Sequence, residues 1–215
     1  FYTASQVDFS GGLIDKLKFA MRTMGYNGIK SSFKRALQEF KPDIVHLHNV
    51  HSYLSPVVVK LAKEFGCKVV WTLHDLKLAC PSYSCLNRGR ICEKCFTSKI
   101  NVVKERCFKE NLRASVLAYF EAVKWNVKKL QRYVDYFVCP SAFIKRQMLK
   151  AGLQEEKLKV VCNCVDPIKL DQLKRAEIPD TRDDFYVYVG RLSEEKERYY
   201  SLLIDRSHKE MKRGN

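Results

Sequence analysis

A chain of 215 residues with 46% hydrophobic and 12% aromatic residues can bury a core, which excludes disorder as the default and fits one large α/β domain or two small ones. No apolar run approaches the roughly 18 residues of a spanning helix, and FYTASQVDFSGGL lacks the basic start and apolar centre of a signal peptide, so a cytoplasmic, non-spanning chain is expected. The formal charge of +15 suits anionic ligands such as sugar nucleotides or an anionic membrane surface; Lys and Arg are scattered, with no zinc-finger spacing or RNP-like motif, so no specific nucleic-acid partner is expected.

In chain order, apolar residues recur at helical spacing at Leu13, Leu17, Ala20, Met21 and Met24, and again at Ile29, Phe33, Leu37 and Phe40. Pro42-Asp43 ends the second helix and IVHLH reads as a short strand. SPVVVKLAKEFG then predicts a helix with Ser55 as N-cap, Pro56 at the first helical position and Gly66 beyond the C-cap. CKVVWTLHD is a second strand, and residues 80–107 read as a long irregular insertion. A basic helix is expected over roughly residues 110–133. VDYFVCPS is a third strand, Ser141 caps a helix ending at Gly152, and LKVVCNCVD is a fourth strand. Strands alternating with helices predict an α/β fold, a Rossmann-like parallel sheet with helices on both faces, over residues 1–166. Residues 167–184 read as a polar linker, and residues 185–215 as the first strand and helix of a second domain.

Several residue patterns bear on chemistry. His46 and His48 share one face of a strand with His51 nearby, but no carboxylate stands at metal-triad spacing, so packing and a cleft border are preferred over metal. Of nine cysteines, Cys67, Cys139, Cys162 and Cys164 lie in or beside strands and read as plain buried thiols. In the insertion, Cys80, Cys92, Cys95 and Cys107 form a symmetric pattern with gaps of eleven, two and eleven residues, while Cys85 stands outside it. Structural zinc, reduced free thiols and a disulfide or redox pair are all open readings of that pattern. In the 110–133 helix, Leu112, Val116, Phe120, Val123, Val127 and Leu130 form an apolar stripe beside Arg113, Lys124, Lys128, Lys129 and Arg132. Such a stripe either packs on the sheet, the preferred reading, or lies on an anionic membrane.

The ordered blocks FKPDIVHLHNVHSYLSP, VVWTLHDLKLACP, VDYFVCPSAFIKRQML, LKVVCNCVD and YVYVGRLSEEK resemble the family 4 (group 1) retaining glycosyltransferases, and in particular a subgroup with a cysteine-rich insertion that acts on bacterial polysaccharides. The resemblance covers about Phe40 to Lys196 and implies the N-terminal, acceptor-side domain of a two-domain GT-B enzyme. The family's first strand and Gly-rich turn would lie upstream of Phe1. After Lys196 the text departs from the family, so a chain truncated at both ends and inactive by itself is expected. The resemblance implies that His74 is catalytic, close to the transferred sugar, and that His48, Asn49 and Asp75 border the acceptor cleft. It further implies that Arg191 and Lys196 hold the donor diphosphate. A UDP- or GDP-sugar donor of hexosyltransferase type, a saccharide or lipid-linked acceptor and peripheral contact at the inner membrane face follow from the same likeness. No cofactor is required for that chemistry, structural zinc aside. The rival expectation is a non-enzymatic, zinc-stabilised basic interaction module; a nucleotide-binding enzyme of other chemistry would need a P-loop or G-x-G-x-x-G turn, and neither motif occurs.

Overall fold

The computed structural model describes residues 13–26 and 28–176. The chain divides into two compact units, Phe1–Cys164 and Val165–Asn215. In the first, helices α1 (Leu13–Thr23) and α2 (Ile29–Phe40) lead into strand β1 (Ile44–His48), followed by α3 (Val50–Tyr53), α4 (Val57–Glu64) and β2 (Lys68–Thr72). The insertion carries a hairpin of β3 (Leu86–Asn87) and β4 (Arg90–Ile91), then α5 (Lys94–Thr97) and α6 (Asn101–Lys104). Next come α7 (Leu112–Lys124), α8 (Val127–Leu130), β5 (Tyr136–Cys139), α9 (Ala142–Lys150) and β6 (Leu158–Val160). In the second unit, the stretch read as a linker opens with α10 (Pro167–Arg175), whose first turn is capped by Asp166 accepting the Ile168 amide.

The fold is the expected one: four parallel strands in the order β1-β2-β5-β6, flanked by helices. Parallel register lines up Leu47, Trp71, Phe137 and Leu158 as one row across the sheet, and all four are buried. Strand side chains alternate between faces, so the neighbouring row, His46, Val70 and Tyr136, occupies the opposite face. Burial is uneven between the two faces: Ile44 and Tyr136, on the second, are exposed. Asp135 pins the sheet's amino end, accepting from the Lys63 ammonium at 2.8 Å and the Val69 amide at 2.8 Å.

Three local expectations change. Ser55 does not cap α4; it sits in a left-handed conformation (φ 62°), fully buried, with its hydroxyl donating to the Thr23 carbonyl at 3.0 Å, and Pro56 takes the N-cap place. The Trp125 indole donates to the same Thr23 carbonyl at 2.8 Å, which ties the end of α1 to the core. Beside that junction Gly25 has φ +75°, and a Cβ there would meet Val57, Ser55 and Trp125 at 3.2–3.3 Å, so this turn requires glycine.

The basic helix is also two helices. It breaks after Lys124, and Asn126 caps α8 by accepting the Lys129 amide. Within α7 the buried face is not the large-residue stripe either: α7 buries Ala114, Ser115, Ala118 and Glu121, while Leu112 (46% exposed), Phe120 (54%) and Val123 (42%) face outward; only the end of the stripe in α8, Val127 and Leu130, packs into the core as expected. Small residues let α7 approach α6 closely, and the large ones are left on the outside.

Candidate functional site

In parallel sheets of this kind, ligands sit beyond the carboxyl ends of the strands. His48 ends β1, and the Leu73 amide bonds to the Val138 carbonyl one step past β2, so His74 emerges at the same edge. The two imidazoles meet, His48 Nδ1 to His74 Nε2 at 2.8 Å, with ring centroids 5.1 Å apart. One nitrogen must donate and the other accept, so the contact holds a single proton and fixes complementary tautomers. Partial burial, and then the neighbouring His46 and His74, push the His48 pKa below its ordinary value. That shift favours the neutral form of His48. His46, on the same face, bonds the Thr72 hydroxyl at 2.8 Å. His51 belongs elsewhere: from α3 it lies against Trp71, on the buried side of the sheet, so the three histidines do not converge.

The residues after each histidine open a second feature. Asn49 is left-handed (φ 46°) and Asp75 accepts the Lys77 amide at 2.9 Å; both line a cavity of about 300 Å³. Its other polar walls are His51, Lys77 and Glu121, and Phe19, Tyr83 and Phe108 add aromatic surface. Glu121 is 6% exposed, with Oε1 3.4 Å from His51 Nδ1 and Oε2 3.2 Å from the Lys77 ammonium. Burial opposes its charge, but the Lys77 ammonium and then His51 outweigh burial and hold its pKa below the usual carboxylate range. Glu121 Oε1 and His51 Nδ1 nevertheless have no hydrogen-bond partner. Lys77 also donates to the Pro81 carbonyl and lies 5.0 Å from the centre of the Phe108 ring. The cavity thus joins buried hydrogen-bonding groups to aromatic faces, the combination that binds a polyhydroxylated ring.

Sequence reasoning named His48, Asn49, His74 and Asp75, and the structure brings all four to one edge, split between the imidazole pair and the cavity. It missed Glu121, Lys77 and the cavity role of His51. One signal was readable: Glu121 is the sole carboxylate in α7, a helix with basic residues at both ends. Arg191 and Lys196 lie outside the described residues.

The cysteines divide differently from their spacing. Cys80 accepts from the thiols of Cys85 and Cys95, which pushes its pKa down, and the same bonds, with burial, push those of Cys85 and Cys95 up. Cys85, the residue outside the symmetric pattern, is therefore one of two thiols that bond Cys80. Cys107 bonds Ser82 nearby, and burial raises its pKa. All nine cysteines are free, and among the described residues no three His, Cys, Asp or Glu side chains form a ready-made metal-binding group.

A parallel Rossmann-like sheet with an imidazole pair and a polar, aromatic cavity at its carboxyl edge is the frame of an α/β ligand-binding domain. Residues 22–169 match the family model described as Glycosyltransferase Family 4, and the chain belongs to that family. It is also similar to an "Uncharacterized 42.6 kDa protein in cps region" of Klebsiella pneumoniae, 26% identical over 172 residues. That alignment covers 78% of this chain and 38% of the relative, so the chain spans well under half of that protein's length. No solved structure gives a significant match.

Proposed function

We propose that this domain is the acceptor side of a retaining glycosyltransferase that moves a sugar from a nucleotide donor to a saccharide or lipid-linked saccharide. The observation that carries the reading is the cavity beside the His48–His74 pair, with buried Glu121 and three aromatic side chains around it. In this proposal Asn49, Asp75 and Glu121 bind hydroxyls of the acceptor and an aromatic wall takes the ring face. His74 donates to the transferred sugar or to charge developing at the reacting centre, and His48 fixes the His74 tautomer. Arg191 and Lys196 would meet the donor diphosphate as guanidinium and ammonium. The cps-region setting of the Klebsiella relative supports a role in cell-surface polysaccharide synthesis. Work at the cytoplasmic face of a membrane is supported by the outward stripe of Leu112, Phe120 and Val123 beside exposed Arg113. No helix among the described residues is long and apolar enough to cross a membrane.

The test is saturation-transfer NMR of the chain with a panel of oligosaccharides. Binding weakened at least about tenfold, roughly 1.4 kcal/mol, by Asp75→Ala with an unchanged thermal midpoint supports the reading. Absence of saccharide binding together with salt-dependent binding to generic DNA would replace it with a basic interaction module.

A further inference from the structure

The insertion poses a problem of stability. Its own core is the small cluster of Cys95, Val102 and Ala118, whereas Cys80 and Cys85 belong to the large core under the sheet. Where these two cores meet, the Cys80 thiol touches those of both Cys85 and Cys95. The junction between the cores is therefore made of sulfur. Two thiols bonded to a third supply little hydrogen-bond energy, because S–H is a weak donor and sulfur a weak acceptor.

The backbone brings a fourth thiol to the same place. Between Cys85 and Cys92 the chain folds back as the β3–β4 hairpin, with Arg88 and Gly89 left-handed in its turn (φ 48° and 73°). The hairpin closes with the Cys92 amide donating to the Cys85 carbonyl at 2.8 Å, so the two cysteines face each other at its open end. Cys92 and Cys95 are separated by two residues at the start of α5, the C-x-x-C knuckle spacing that offers two sulfurs to one ion. Cys85 itself is left-handed (φ 53°), as is Tyr83 (φ 61°). Non-glycine residues adopt that conformation at a cost, and keep it where the surroundings demand it. Lys99, half-buried, donates from its ammonium to the Leu78 and Ala79 carbonyls, immediately before Cys80, and interacts electrostatically with Cys80, Cys85 and Cys95. A cation fixed beside a thiol cluster is suited to offset negative charge that gathers on sulfur.

We propose that Cys80, Cys85, Cys92 and Cys95 bind one zinc ion as thiolates and so fasten the insertion to the sheet domain. Binding forms four Zn–S bonds and releases the four thiol protons to solvent; the resulting complex carries net charge −2, partly offset by Lys99. The thiols of Cys85 and Cys95 each bond Cys80 without forming a ready-made site, so assembly draws the three closer and turns the Cys92 thiol inward from its half-buried position. This ligand set differs from the symmetric spacing pattern, since it uses Cys85 and leaves Cys107 out. Cys107 instead bonds the Ser82 hydroxyl, which itself lies 3.1 Å from the Cys80 sulfur. The site is structural: four protein ligands leave no open position for substrate.

The test uses the full 215-residue chain, produced with zinc in the medium and purified under reducing conditions without chelator. Metal analysis is expected to give one zinc per chain, and exchange with cobalt(II) to give the sulfur-to-cobalt charge-transfer and visible bands of a tetrahedral tetrathiolate. Alkylation followed by peptide mass spectrometry then assigns the ligands in the wild-type protein, whatever the stability of any variant. Cys80, Cys85, Cys92 and Cys95 should be protected until a chelator is added and reactive afterwards. Exposed Cys162 and Cys164 should react throughout, and Cys107 should react equally before and after chelation. Cys85→Ser should lose the metal and the cobalt spectrum, whereas Cys107→Ser should keep both. Zinc well below one per chain, a Cys80–Cys85 disulfide in the reduced preparation, or chelator-dependent protection of Cys107 in place of Cys85 would overturn the proposal.

Discussion

The sheet and the cysteine-rich insertion are built by different physics. The sheet aligns Leu47, Trp71, Phe137 and Leu158 in register and buries the whole row, so its stability comes from apolar area removed from water. The insertion, residues 80–107, has short elements and few large buried residues of its own, and it joins the sheet domain through thiols; beside that joint the buried Glu121–Lys77 pair ties α7 to the segment after β2. An apolar row tolerates imprecise geometry, whereas sulfur and charge must be placed. The cavity lies where the two regimes meet, lined by Asn49 and Asp75 from strand ends, by Tyr83 from the insertion and by Phe108 just after it. Binding chemistry therefore depends on a joint, and the joint can be loosened without unfolding the sheet.

The largest effect is expected inside the apolar row. Trp71 is fully buried against Phe137 and His51, and Trp71→Ala should cost about 3–5 kcal/mol, read as a lower urea midpoint for the whole first unit. A loss confined to the insertion in hydrogen exchange would contradict the comparison.

The next effect falls on the joint. Glu121→Ala leaves the Lys77 ammonium buried with a carbonyl as its remaining close polar contact, and should cost about 3 kcal/mol. Replacing both partners, Glu121→Leu with Lys77→Met, should recover most of that stability, because an apolar pair avoids the desolvation cost of two charges. Saccharide binding should stay lost in the double variant. Recovery of binding along with stability would show that the ion pair serves only to hold the joint.

How far the sequence announced all this follows the same division. The four strands, their parallel order and the capping role of Ser141 were legible because period-two apolar runs and cap residues act locally. That His74 and Asp75 emerge at the carboxyl edge was legible because residues just past the end of a strand in a parallel sheet lie there by topology. What stayed hidden depends on packing between distant elements. The α7 stripe has helical period, but Ala114 and Ala118 permit close approach and win the buried face; hydrophobicity alone does not foresee that. The bond between Cys85 and Cys80 stayed hidden for a related reason: symmetric spacing draws attention to Cys107, whereas the β3–β4 hairpin turn at Arg88-Gly89 folds the chain back beside Cys85. Glu121 was concealed by its place in a basic helix, since its partners come from α3 and from the segment after β2.

Acid should separate the regions by a smaller margin. The pKa values of Asp135 and Glu121 are lowered in the fold although burial opposes the charge in both; the Lys63 ammonium and Val69 amide outweigh it at Asp135, and the Lys77 ammonium outweighs it at Glu121. A depressed carboxylate contributes stability that is fully present above the unfolded pKa, about 4. That contribution is lost as pH falls through the folded value. Unfolding free energy from urea titrations should therefore fall steadily below about pH 4. Asp135→Asn should cost about 1–3 kcal/mol at pH 7 and flatten that acid slope. An unchanged slope would remove Asp135 from the account.

The smallest effect on stability is expected on the outer face of α7, and it bears on where the protein works. Were the stripe of Leu112, Phe120 and Val123 part of the core, Phe120→Ser would cost several kcal/mol, on the order of other buried aromatic losses. With Phe120 54% exposed, the change should stay within about 0.5 kcal/mol. The same substitution should reduce flotation with anionic vesicles at low salt, because an interfacial helix binds through its apolar stripe as well as its charge. Neutral vesicles provide the control, since scattered Lys and Arg give them no electrostatic attraction. A stable variant that floats as well as the wild type would leave charge as the source of any membrane contact. Loss of flotation at unchanged stability would assign the exposed stripe to the lipid surface, leaving the small-residue face of the same helix to the insertion core.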